Sequence, residues 1–291
     1  MYQFKHAADL LAICSDRDIS LGEAVLLSEE EETGISRENI RARMEGLLAD
    51  MAGAVRKGLD PGLKSMGGLI GGNAYRLYNM SSEKTVCGPT VIKAVSYALA
   101  VTEINASMGK IVAAPTAGAS GILPGCILAV QEAKNLAAEA AVQGLFTAAG
   151  IGKIIAENAT LSGAEGGCQA ECGSAAAMAA AAIAEMMGGA PQMSMNAAAM
   201  ALKGSLGLVC DPVAGLVEVP CSKRNATGTA LAMVCADMAI SGITSFIPFD
   251  EMVEALKRVG HMIPSDLRET ARGGCAATPT ALAYAQSVKH Q

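Results

Sequence analysis

From Ala175 to Ala184 the chain reads AAAMAAAAIA, ten residues with no polar side chain on any face. A helix that is apolar all round belongs inside a protein or across a membrane. This one is too short for the second place, because a span needs roughly 20 apolar residues. A longer apolar stretch, Ala226 to Ile247, carries Asp237 near its centre and is also read as a buried helix. The chain must therefore bring helices together closely through small side chains, and no membrane partner is expected. Its composition agrees, with 51% hydrophobic residues, 3% aromatic residues, no Trp and 16 Met among 291 residues.

Periodicity extends the helical reading. Ser20 and Glu23 form a Ser-x-x-Glu capping box opening an acidic helix to about Glu32, and Ser36 to Val55 carries apolar residues at three- and four-residue intervals. Further helices are expected over Pro89–Asn105, Pro124–Ala138, Gly167–Met187, Gln192–Ser205, Ala226–Ser241, Asp250–Val259 and Ser265–Arg272. The single strand candidate is Lys110–Ala114. The expected fold is all-α, a single large helical domain over residues 61–291, preceded by a helical arm over residues 1–60 that serves packing or partner contact.

A net charge of −6 leaves no basic stripe to neutralise phosphates, which excludes nucleic acid as the main partner. The opening MYQFKHAADLLAICSDRD lacks the order of a signal peptide and the Arg/Ser bias of a transit peptide. Nine cysteines, an odd number without a framework pattern, fit a reducing compartment, so the expected location is the cytoplasm.

Gly-rich loops separate the helices: Gly67–Asn73, Ala114–Gly125, Ser162–Cys168 and Ala271–Thr280. Three of them run into expected helices, where backbone N–H groups can cradle a carboxylate. The competing reading is that Gly merely ends helices and permits turns. Gly150-Ile-Gly152-Lys153 lacks the surrounding residues of a phosphate loop, and GGLIGG does not follow a strand, so nucleotide binding is rejected.

Cys168, Cys210 and Cys221 each sit where Gly or Pro sharpens the chain, in GAEGGCQAECG, LGLVCDPVAG and VEVPCSKRNA. Free cysteines usually behave as small hydrophobes, and Cys14, Cys126 and Cys235 on apolar stretches are assigned to packing. Cys87 and Cys275 stay open. Cys172, four residues after Cys168, competes as a ligand on spacing alone, and the separations of the other three match no zinc ribbon or ferredoxin run.

The segments NASMGKIVAAPTAGASGILPG, GAEGGCQAECGSAAAMAAA, CDPVAGLVEVPCSKRNA and SDLRETARGGCAATPT resemble the catalytic alpha chain of the iron–sulfur-dependent L-serine dehydratases, over about Ser36 to Ala283. The resemblance implies a four-iron, four-sulfur cluster on Cys168, Cys210 and Cys221, with no pyridoxal phosphate. It leaves Cys172 a neighbour, while Cys275 departs from the family pattern by replacing an apolar residue. Three thiolates would leave one iron open to the hydroxyl of L-serine, and loss of water then gives aminoacrylate and finally pyruvate and ammonia. The substrate carboxylate is expected in the loop Thr116–Gly121, with Thr116, Gly118, Ser120 and Gly121 around it and Arg224 as counter-charge.

The base is missing. His6, His261 and His290 stand beside no cluster motif, which leaves Lys84 or Lys110, if buried, or a smaller beta chain carrying a His-containing motif, as the family resemblance implies. The rival readings are a cluster-bearing redox or sensor protein with a fourth ligand, Cys172 or Cys275, a metal-free helical subunit, and a dehydratase of threonine or another 3-hydroxy amino acid. A pyridoxal-phosphate enzyme would need a Schiff-base Lys in a sheet-rich fold.

Overall fold

A computed structural model describes residues 2–80 and 82–288. Among them run thirteen α-helices: α1 (Ala7–Arg17), α2 (Leu21–Thr33), α3 (Arg37–Gly58), α4 (Asn73–Tyr78), α5 (Pro89–Ala106), α6 (Ile122–Ala133), α7 (Ala138–Asn158), α8 (Gly163–Gly166), α9 (Ser174–Met186), α10 (Pro191–Ser205), α11 (Cys221–Ile240), α12 (Phe249–Met262) and α13 (Pro279–Val288). No strand occurs among the described residues; a lone parallel bridge joins Cys210 to Arg268. The all-α expectation holds. No described helix is long and apolar enough to cross a membrane.

The alanine run lies at the centre. Every alanine of α9 is fully buried, and the helix is enclosed by α6, α7, α10 and α11. With nothing beyond Cβ on most of its surface, α9 lets four neighbours approach without filling the space between them. The N-terminal helices join the same core through Leu10, Cys14, Leu21, Leu26, Ile40 and Val55. Asp250 at the start of α12 accepts from the Ala7 and Ala8 amides at 2.7 and 3.2 Å, capping α1 from across the chain. At α2 the Ser20 hydroxyl accepts from the Glu23 amide at 3.3 Å, while the Glu23 carboxylate turns outward to Arg37 and Arg41.

Four expectations change. Lys110–Ala114 forms no strand, because no described segment pairs with it, and it runs as an irregular connection to the cis Ala114–Pro115 peptide. Ser265–Arg272 is not a helix beyond a short 3₁₀ turn at Ser265–Leu267, since Leu267 and Glu269 spend their backbone groups on Cys210. The helix expected over Gly167–Met187 is broken by a π turn, Gln169–Gly173, before α9 begins. The helix expected to reach Ala138 stops at Ala133. The long α7 escapes the sequence pattern because of its glycines. At Gly150 a Cβ would stand 2.4 Å from Val25 Cγ2, so that glycine is what admits α2.

Candidate active site

Three elements deliver the three cysteines. Cys168 follows α8 and opens the π turn; Gln169 beside it is fully buried, donating to Leu256 O at 2.9 Å and accepting from the Gly207 amide at 2.9 Å. Cys210 is fixed through its backbone, its amide donating to Leu267 O at 2.8 Å and its carbonyl accepting from Glu269 at 2.7 Å. Cys221 is the first residue of α11 and follows a cis Val219–Pro220 peptide.

Two buried carboxylates brace the Cys210–Cys221 connection. Asp211 pairs with Arg224 at 2.7 Å and accepts from the Cys275 amide at 2.5 Å. Glu218 accepts from Ser65 Oγ, Gly67 N and Leu69 N at 2.6, 2.7 and 3.0 Å, which binds the GGLIGG loop to the same connection. Asn225 supplies the third brace. Its side chain accepts from the Gly121 amide at 2.9 Å and donates to Gly118 O at 2.7 Å and Cys221 O at 2.9 Å, fastening the Thr116–Gly121 loop beside Cys221.

The electrostatics of the thiols follow from burial. It pushes the Cys210 thiol well up, with Glu171 and Cys168 adding to the effect. Burial, Cys168 and Glu171 push Cys221 up to about 12. Cys168 is lowered, chiefly by the hydrogen bond from Cys172, against burial and with help from the Arg224 charge. Thiols this buried stay protonated unless a cation compensates them. Among the described residues no three His, Cys, Asp or Glu side chains converge tightly enough for a single ion. Cys168, Cys210 and Cys221 each lie close enough to affect the others' ionisation, and three soft sulfur donors of this kind suit a thiophilic iron–sulfur group.

A family model described as serine dehydratase alpha chain matches residues 16–276. The chain belongs to the serine dehydratase alpha chain family. It is 50% identical over 278 residues to the probable L-serine dehydratase, alpha chain of Bacillus subtilis, covering 95% of this chain and 92% of that one. To the L-serine dehydratase, alpha chain of Peptoniphilus asaccharolyticus it is 43% identical over 275 residues, 94% of each chain. The L-serine dehydratase of Streptomyces coelicolor is 37% identical over 283 residues, which are 94% of this chain but 61% of that protein.

Within this chain the candidates named from the sequence fall into distinct places. The Thr116 hydroxyl donates to Glu171 Oε1 at 2.7 Å; Ser120 is fully buried and donates to Ala117 O at 2.8 Å; the Gly121 amide is held by Asn225. Arg224 Nη1 also donates to Val209 O at 2.6 Å, and Arg224 lines a cavity of about 440 Å³ together with Cys172, Ser205 and Thr227. Lys110 is exposed and paired with Asp50 at 2.8 Å, and Lys84 is exposed on a short turn. His6 stands exposed before α1. His261 shares a surface cavity with Ala164 and Glu165, just before Cys168, and His290 lies outside the described residues.

Sequence reasoning missed Glu171, Asp211 and Glu218. Asp211 and Glu218 had a signal in their position, both lying inside the segment bounded by two cysteine motifs. Glu171 is half-buried between Thr116 and the Cys210 thiol, 3.8 Å from Oε2. Burial raises its carboxyl above the usual range, the Thr116 hydrogen bond works against that, and Glu269 nearby reinforces it.

Proposed function

We propose that this chain is the cluster-bearing subunit of an L-serine dehydratase, eliminating water from L-serine to yield pyruvate and ammonia. The observation that carries the reading is that Cys168, Cys210 and Cys221, from three separate elements, lie close enough to act on one another electrostatically, with Asn225 tying Cys221 to the Thr116–Gly121 loop, in a chain of this family. Those three thiolates would hold a four-iron, four-sulfur cluster. When bound, such a group supplies a Lewis-acidic iron for the hydroxyl that must leave. The chain's own residues then bind and orient the substrate. The free amides at the start of the Thr116–Gly121 loop face the carboxylate, Ser120, Gly121 and Asn225 hold that loop rigid, and Arg224 sustains the thiolate of Cys168 and anchors Asp211.

The proton acceptor comes from a smaller beta chain. Lys84 and Lys110 stand at the surface, and the Streptomyces coelicolor relative, longer than this chain by more than a third of its own length, has room for both halves in one polypeptide. Residues 1–60 serve packing or contact with that partner, residues 61–291 carry the chemistry, and nine free thiols suit the cytoplasm.

Anaerobic purification with iron and sulfide counts, a visible spectrum and a pyruvate assay with the partner chain present tests the reading. Colourless protein, or a cluster-loaded complex that releases no pyruvate from serine, overturns it. Retention of iron in Cys172→Ser is the expected outcome, and its loss would favour a four-thiolate electron carrier instead. Serine and threonine differ in a pocket by one methyl, worth about 1–3 kcal/mol, and the ratio of their kcat/KM values in the loaded complex measures which is preferred.

A further inference from the structure

Helix α11 presents two faces with different surroundings. Asn225 reaches the Thr116–Gly121 loop, joining Gly121 N and Gly118 O. Arg224, Thr227, Gly228 and Leu231, spaced three and four residues apart, form a separate stripe, and that stripe walls the cavity of about 440 Å³. The turn from Gly204 to Leu208 after α10 forms another wall, and Cys172 reaches the cavity from the π turn. At Gly207, where φ is +83°, a Cβ would meet nothing within 4 Å, so the turn leaves open space on this side.

Arg224 brings to this cavity a guanidinium with an unused edge. Its Nη1 donates to Val209 O at 2.6 Å and pairs with Asp211 at 2.7 Å. Nε and Nη2 meet no acceptor among the described residues, and neither is shut away from solvent. A guanidinium keeps its charge throughout the working pH range and binds a carboxylate through parallel N–H groups. Leu206, Leu208 and Leu231 add hydrocarbon to the walls, and none of the lining residues is acidic. A carboxylate with a short carbon body therefore finds a partner here. An ammonium group finds none, and desolvating it unpaired is costly.

We infer that this cavity is a second small-molecule site, taking a short monocarboxylate without an amino group, of the 2-oxo acid class to which pyruvate belongs. Naming the product acid as the occupant rests on the serine dehydratase reading, under which the cavity admits the product and refuses the amino-acid substrate. It opens on a different face of α11 from the Thr116–Gly121 loop, so its occupant does not compete with serine. Two contacts link it to the thiols: Arg224 holds Asp211 next to Cys210, and Cys172 hydrogen-bonds Cys168. Product gathering there slows turnover while serine remains bound.

The test uses the cluster-loaded complex of both chains, with sodium pyruvate and L-alanine as calorimetric probes. Alanine has the same carbon chain, with an ammonium where pyruvate has its oxo group. Thr227 lines the cavity and is exposed, so its charge can be changed without disturbing the core. Thr227→Glu should raise the pyruvate Kd about 10-fold or more, and Thr227→Lys should lower it about 3-fold. Leu231→Phe, which takes up space at the apolar wall, should raise it as well. In all three the L-alanine Kd and the serine KM measured without pyruvate should move less than about twofold. In steady state, pyruvate should lower kcat with little change in serine KM, and Thr227→Glu should relieve that inhibition. Wild type that binds no pyruvate, or binding that ignores all three substitutions, overturns the assignment. So does purely competitive inhibition, or a serine KM that rises in step with the pyruvate Kd, since either makes the cavity part of the turnover site. A loaded complex that forms no pyruvate from serine defeats the dehydratase reading instead, and the opposite responses to Thr227→Glu and Thr227→Lys still report on the cavity.

Discussion

Gln169 has no chemistry of its own, yet it sets the position of Cys168. Its amide joins Leu256 of α12 to Gly207 after α10, and the buried Leu256 carbonyl has no water to fall back on. Gln169→Ala should therefore lower the urea midpoint by an amount equivalent to about 1–3 kcal/mol and reduce iron per chain, because the buried Leu256 carbonyl loses its partner. Arg224 is a different case. Lysine in its place keeps the charge but replaces the planar guanidinium, whose Nη1 reaches both Val209 O and Asp211, with a more compact and more strongly hydrated ammonium. Arg224→Lys should raise the serine KM and lower kcat, and unchanged steady-state kinetics would remove Arg224 from the site. At this scale the cysteine motifs are readable in the sequence because Gly and Pro mark them. Glu171 is not readable there: a glutamate three residues into an apolar run looks like the first turn of a helix, and only a π turn and two distant glycines turn it toward Thr116.

Helices α5 and α6 are clasped by one carboxylate. Glu132 accepts from Tyr97 Oη at 2.8 Å and pairs with Lys93 at 3.1 Å, and Tyr97 stacks on Tyr78 with ring centroids 6.0 Å apart. Burial first, then Glu132, raises the phenol well above its ordinary value near 10. A raised folded value means the neutral phenol is the stabilised form. Its contribution is complete below about pH 10 and is lost as pH climbs further, so stability should fall on the alkaline side in wild type and less steeply in Tyr97→Phe, read from Tm across a pH series. The central α9 offers a steric counterpart. Ala180→Leu adds volume where there is none and should cost about 1–3 kcal/mol, visible as a Tm drop of several degrees. Helices α3, α5, α10 and α12 stand within a few residues of their expected limits, since their apolar spacing is regular. The long α7 and the broken region after Gly167 do not, because there glycine serves tertiary contact, and the local pattern carries no trace of the neighbour it admits.

Among the described residues one large helical core dominates, and Cys168 and Cys210 are buried within it. Purified alone the chain should bind iron in the sub-stoichiometric-to-full range set by Cys168, Cys210 and Cys221 and yet release no pyruvate, with activity appearing on addition of the beta chain; catalysis by the chain alone would show that its own residues include the base. The sequence made the family and the all-α class readable, because long motifs and helical periodicity are local. It could not show which distant segments brace the cysteines, since such contacts leave no periodic mark. Asp211 and Glu218 lie within the Cys210–Cys221 segment and reach Cys275 in one direction and Ser65 to Leu69 in the other. Leu267 and Glu269 close on Cys210 as well. In the order of biosynthesis this has a consequence: all three cysteines emerge from the ribosome well before the residues that fix Cys210 and Asp211. Iron delivered before those residues have been made would meet thiols without a seat, and a chain truncated after Pro264 should fold its central helices yet fail to retain the metal.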